Sequence, residues 1–152
     1  MALKQSKQIA AMRPVMNPID AVSLVPLVTE YVVPAAGVAI GDVIEMGALP
    51  NNCVVVDGNV QNTAGAANST LAWGLLTGTY GSLDAARTCG AEFSAAFGVS
   101  AAAITRLAKP YTANSKVDDT TGWGFVVAGA ALPAGQVIRA ILLVAPAPVG
   151  IA

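Results

Sequence analysis

The chain has 152 residues, which fits one domain able to bury roughly 68–70% of the surface its unfolded chain exposes. Only 11% of the residues are charged, against about 25% in an ordinary soluble domain, while 55% are hydrophobic and the mean hydropathy is +0.62. A net charge of −1 excludes a global basic field for nucleic acid, and the lack of histidine excludes Ser-His-Asp and Cys-His catalytic arrangements.

Residues 1–22 differ from the rest of the chain. Every charge before Asp20 is positive (Lys4, Lys7, Arg13), glycine is absent, and Pro14 and Pro18 prevent a long helix, although a short helical turn fits 3–12. A secretory signal is not expected, because Arg13, Pro14, Asn17 and Pro18 interrupt the stretch where a continuous apolar segment is needed. Two readings stay open, a loose terminus and an extended arm laid across a neighbouring subunit. Ile9, Met12, Val15, Met16 and Ile19 favour the arm, since they are too apolar for a freely solvated tail.

Residues 23–33 are rich in β-branched side chains, and Pro26 places a strand start or an edge position there. Pro34-Ala35-Ala36-Gly37 is turn chemistry. The stretch 38–60 then predicts two strands joined by a proline turn at Leu49-Pro50-Asn51-Asn52. Alternation over 38–46 is imperfect, with Ile40, Asp42, Ile44 and Met46 on one parity, which predicts partial cover on both faces. Asp57-Gly58 marks a tight turn or a bulge in the second strand. Part of this module returns at Leu132-Pro133-Ala134-Gly135-Gln136-Val137-Ile138, again Leu-Pro, three residues and two β-branched residues.

Between the two copies, 61–69 reads as a loop and 70–80 as a strand thinned by Gly74 and Gly78. Ser82 and Asp84 suit the start of a short helix through Ala85-Ala86-Arg87. Residues 92–96 are ambiguous, and 100–109 predicts a helix from its alanines, from Ile104 and Leu107 at i, i+3, and from Arg106 and Lys109 near its end. Residues 111–122 read as a polar loop, 123–128 as a short strand, and 136–144 as the clearest strand of the chain. The tail 145–150, with Pro146 and Pro148, cannot continue a ladder.

No uninterrupted apolar run approaches the ~18–20 residues of a membrane-spanning helix, so no membrane partner is expected. Cys53 and Cys89 cannot define a disulfide framework or a metal site; both fit buried free thiols, and pairing stays open. Asp84, Glu92, Asp118 and Asp119 are the stock for a carboxylate pair, yet no spacing resembles a calcium loop. The glycine-bearing runs at 74–81 and 122–135 lack a phosphate-loop ending. Trp73 and Trp123 suit core anchors; a sugar-binding module would need them, with Tyr80 and Tyr111, as an exposed platform. No enzymatic activity and no cofactor are expected.

Three stretches carry a family resemblance: Gly41-Asp42-Val43-Ile44-Glu45-Met46-Gly47-Ala48-Leu49-Pro50, Leu76-Thr77-Gly78-Thr79-Tyr80-Gly81-Ser82-Leu83-Asp84, and Leu132-Pro133-Ala134-Gly135-Gln136-Val137-Ile138. With them the chain resembles the small decoration, or cement, proteins that bind the outside of tailed-bacteriophage capsids. The resemblance implies a mainly-β, jelly-roll-like sandwich over 23–152, with an N-terminal arm over 1–22 and a short helical or loop insertion around 82–109. It implies a structural virion protein on the outer capsid surface, made in the host bacterial cytoplasm, that bridges neighbouring capsomers. Its partners would be the major capsid protein and sister subunits in a trimer or dimer, with no nucleic acid. Lys4, Lys7 and Arg13 would meet acidic groups, while Ile9, Met12, Val15, Met16 and Ile19 bury against the partner. The alternatives are another virion component (tail, fibre or head vertex) and, in a different class, a carbohydrate-binding sandwich.

Overall fold

The structure, a computed structural model, describes residues 3–5, 24–50, 53–109, 112–114 and 121–146. Among them the chain forms strands and no helix: β1 (Leu3–Gln5), β2 (Val25–Val32), β3 (Val43–Leu49), β4 (Cys53–Asn62), β5 (Thr70–Leu75), β6 (Ser94–Gly98), β7 (Ala103–Arg106), β8 (Thr112–Asn114), β9 (Thr121–Ala128) and β10 (Val137–Pro146). The first sheet runs β1-β3-β9-β5-β6 and the second β2-β10-β4-β7, with β8 also paired to β4. Neighbours are antiparallel except β1, which lies parallel to β3 with Lys4 opposite Ile44.

The inner faces of both sheets close over one apolar core. Ile44, Leu71, Trp73, Trp123 and Phe125 of the first sheet meet Val55, Val60, Ile138, Leu142 and Val144 of the second in a single cluster. Trp73 is its hub, with ring centroids 5.6 Å from Phe93, 5.7 Å from Phe125 and 6.3 Å from Trp123. Gly58 in β4 lies where a Cβ would stand 2.8 Å from the Ile141 carbonyl oxygen and 3.0 Å from Trp73 Cη2, so the indole reaches the opposite sheet only because β4 carries no side chain there.

The two Leu-Pro modules do not form hairpins. Leu49-Pro50 carries the chain from β3 in the first sheet to β4 in the second, and the segment with Leu132-Pro133 carries it from β9 to β10 in the same direction. Because β3 pairs β9 and β4 pairs β10, the repeated modules lie side by side across both sheets. The first strand begins at Val43, since Asp42 closes a turn: its Oδ2 accepts from the Ala39 amide at 3.1 Å while its own amide donates to the Ala39 carbonyl at 3.2 Å. The predicted irregularity in β4 is a bulge, where Asp57 faces Leu143 and Val55 faces Val144.

Both predicted helices are absent. Over 82–87, Ser82 Oγ accepts from the Asp84 amide at 3.3 Å and Asp84 Oδ1 from the Ala86 amide at 2.9 Å, so the capping side chains close turns instead of starting a helix. In 100–109 the i, i+3 pair splits, with Leu107 buried and Ile104 71% exposed, and Ala103–Arg106 pairs with β4 as β7. Sheet pairing overrides the helical propensity of its alanines. The short helical turn considered for 3–12 is likewise replaced, where described, by the strand Leu3–Gln5.

Candidate interaction surfaces

The outer face of the first sheet is covered by the segment 76–92. All seven residues of β3 are buried: Ile44, Met46 and Leu49 join the core, while Glu45 meets the covering segment at Arg87. That segment leaves the sheet as a hairpin, with Leu76 bridging Cys89, the Thr77 amide donating to the Thr88 carbonyl at 2.9 Å and the Gly90 amide to the Leu75 carbonyl at 2.9 Å. Glu45, Gly124 and Gly74 stand in register across β3, β9 and β5. A Cβ on Gly74 would collide with Gly90 and Glu92, and one on Gly122 with Glu45 and Arg87. The glycines form a floor on which the covering segment rests.

A buried ion pair fastens that segment. Glu45 is fully buried in β3 and Arg87 is 3% exposed, with Nη2 donating to Glu45 Oε1 at 2.6 Å. Arg87 Nε also donates to the Thr77 carbonyl at 2.7 Å and Nη1 to the Ser82 carbonyl at 3.0 Å, which ties both ends of the loop to one guanidinium. Glu45 Oε2 has no hydrogen-bond partner among the described residues. Burial, and then the Glu45 charge, push the nearby Tyr80 hydroxyl above its ordinary pKa. A pair this buried does little for net stability against apolar residues of the same volume; its best-attested use is to impose one arrangement.

The outer face of the second sheet is mixed. Arg139 on β10 donates to Glu30 on β2 at 2.6 Å, and Arg106 on β7 to Asp57 on β4 through Nε at 3.2 Å and Nη2 at 2.7 Å. The Arg106 hydrogen bonds, followed by one from the Gly58 amide, hold the Asp57 carboxyl below its ordinary range. Val28, Val32 and Ile104 are exposed on this face. An open depression of about 370 Å³ lies between Glu30, Gln61, Asn62, Thr63, Val137 and Arg139.

Of the partner-binding residues expected from sequence, Lys4 is half-buried in β1 at the edge of the first sheet. Lys7, Ile9, Met12, Arg13, Val15, Met16 and Ile19 lie outside the described residues, as do Tyr111, Asp118 and Asp119. Trp73 and Trp123 are fully buried, which removes the exposed platform that the carbohydrate-binding alternative requires. Asp84 and Glu92 serve the backbone, Glu92 Oε2 accepting from the Leu75 amide at 2.8 Å. Among the described residues no three His, Cys, Asp or Glu side chains gather to hold a metal ion, and no helix is long and apolar enough to cross a membrane. Cys53 and Cys89 are both free, and burial pushes each thiol up to about 12. Sequence reading missed the Glu45–Arg87 pair; the available signal was a glutamate inside an otherwise apolar strand, where burial demands a partner.

Comparison with solved structures places this architecture. A chain in the capsid of Ralstonia phage GP4 superposes with a TM-score of 0.81 and 30% sequence identity, covering 97% of this chain and 99% of that one. The chain belongs to that phage capsid family. A chain of the cyanophage Pam1 capsid asymmetric unit shares the fold, with a TM-score of 0.56 and 14% identity over 91% of this chain and 96% of that one. No protein-family model matches the sequence, and no curated protein matches it at significance. As a phage capsid-related protein, the chain has a structural virion role.

Proposed function

We propose that this capsid-related protein is a decoration, or cement, protein that binds the outer surface of the phage shell and bridges neighbouring capsomers. The observation that carries the proposal is the end-to-end likeness to a chain of the GP4 capsid, which extends over 97% of this chain and 99% of that one. Strand order supports the jelly-roll reading. Leaving out β1 and β8, the sheets run β3-β9-β5-β6 and β2-β10-β4-β7, eight strands in which the chain changes sheet at most connections. The low charge suits a subunit whose surface is partly covered in an array.

In this reading the N-terminal arm makes the attachment. Ile9, Met12, Val15, Met16 and Ile19 bury against the major capsid protein or a sister subunit, and Lys4, Lys7 and Arg13 meet acidic groups there. Homo-oligomers on the shell would add avidity through several attachments per particle. The deciding experiment is co-sedimentation of the purified protein with assembled capsids, read as its stoichiometry to the major shell subunit. Saturable binding at a fixed ratio is expected; no binding to mature capsids, with incorporation into tails instead, overturns the decoration role in favour of another virion component. Replacing Ile9, Met12, Val15, Met16 and Ile19 with serine, which keeps β1, should leave a folded sandwich that no longer attaches, and unchanged attachment would remove the arm from the mechanism.

A further inference from the structure

We infer that the segment 76–92 is a second, preorganised docking element, which presents Leu83 to an apolar pocket with a basic rim on the shell surface. The inference rests on the decoration role proposed above and adds a contact site distant in sequence from the arm. Leu83 is 78% exposed, the largest exposure of any big apolar side chain among the described residues. Its position is defined on both sides. The Ser82 amide donates to the Thr79 carbonyl at 3.2 Å, closing a turn in which Gly81 adopts a φ of +75°, and the Arg87 amide donates to the Asp84 carbonyl at 3.2 Å, closing the next. Leu83 stands between these two turns.

The buried structure beneath explains how so short a loop holds an apolar side chain in water. Arg87 ties the carbonyls of Thr77 and Ser82 to Glu45 in the sheet, and the Gly81 amide reaches Glu45 Oε1 at 3.4 Å. A loop fixed before binding loses little conformational entropy when it docks, which is where much of the cost of association otherwise lies. A single rigid aliphatic anchor entering a pocket is an effective interface centre. Charge defines the rim of that pocket. Within 76–92 the one cation, Arg87, is buried, while Asp84, next to Leu83 in the chain, is exposed, so the element offers an apolar tip beside a negative charge. The complementary surface is apolar with lysine or arginine at its edge.

The test measures binding of the full-length chain to assembled capsids for wild type, Leu83→Ala, Leu83→Asp and Ile104→Asp. Leu83→Ala should weaken binding about tenfold or more and Leu83→Asp about a hundredfold. Ile104→Asp, a change at a similarly exposed position on the other sheet, should bind as wild type does. Far-UV circular dichroism and protection of the Cys89 thiol, which sits in the same segment, report whether the element stays in place in each variant. If Leu83→Asp is folded, keeps Cys89 protected and binds like wild type, the docking element is refuted while the decoration role stands. If wild type itself fails to bind, the decoration role falls instead. Equal losses in Leu83→Asp and Ile104→Asp would also overturn the assignment, because the effect would then follow added surface charge rather than position.

Discussion

Replacing Arg87 with methionine tests the role of the buried pair. The substitution keeps an unbranched chain of similar length but removes the cation from a carboxylate that is fully buried and already has one oxygen without a partner among the described residues. An uncompensated buried charge costs about 3–5 kcal/mol, and the carbonyls of Thr77 and Ser82 lose their donors as well. For a domain of this size that is a fall in Tm of about 6–20 °C. Glu45→Gln should cost a similar amount, about 3–5 kcal/mol, because the amide oxygen can still accept from Arg87 but leaves its buried guanidinium without a counter-charge. The double variant should recover most of the Arg87→Met loss, since no charge is left buried without a partner. The assay is equilibrium urea unfolding of the four proteins at neutral pH. Desolvation outweighs attraction in this account, so a cost below about 1 kcal/mol for Arg87→Met, or a double variant as unstable as the sum of the singles, would refute it.

Three further outcomes follow from the packing. Gly58→Ala places a methyl group against the Ile141 carbonyl, Leu142 Cδ2 and Trp73 Cη2 at 2.8–3.0 Å, and should lower stability by about 1–3 kcal/mol in the same urea assay; an unchanged midpoint would mean that the sheets separate more freely than the indole contact implies. Burial raises Cys53 and Cys89 from the ordinary thiol value of 9.0 to about 12, and Tyr31 from 10.0 to about 12. The unfolded chain therefore loses these protons first, and their contribution, fully present below about pH 9, falls away as pH rises towards 12. Urea midpoints should drop between pH 8 and pH 10.5, with a shallower drop in Cys53→Ala, and a thiol reagent at pH 8 should modify neither cysteine until the chain unfolds.

Where a stretch had its cause in its own residues, it was legible in the sequence. The β-branched runs at 23–33 and 136–144 became β2 and β10, and Trp73 and Trp123 became core anchors because nothing smaller fills the space between the sheets. Asp57-Gly58 marked a bulge that is present. Residues 82–109 failed for an equally physical reason: Ser82 and Asp84 offer the same hydrogen bonds to a turn as to a helix, and the edge of β4 recruits Ala103–Arg106 into the second sheet.

The repeated Leu-Pro stretch shows the same division. Its sequence established two strands with a break between them, since proline cannot continue a ladder. Whether the second strand returns beside the first or crosses to the facing sheet is not a local property. Contacts distant in sequence decided it: β3 pairs β9 and β4 pairs β10, so each module spans the core instead of folding on itself. The Glu45–Arg87 pair is the extreme case. Imperfect alternation predicted partial cover on both faces of the strand that holds Glu45, but the partner lies 42 residues away and was brought to it only when 76–92 folded back over the glycine floor of the first sheet.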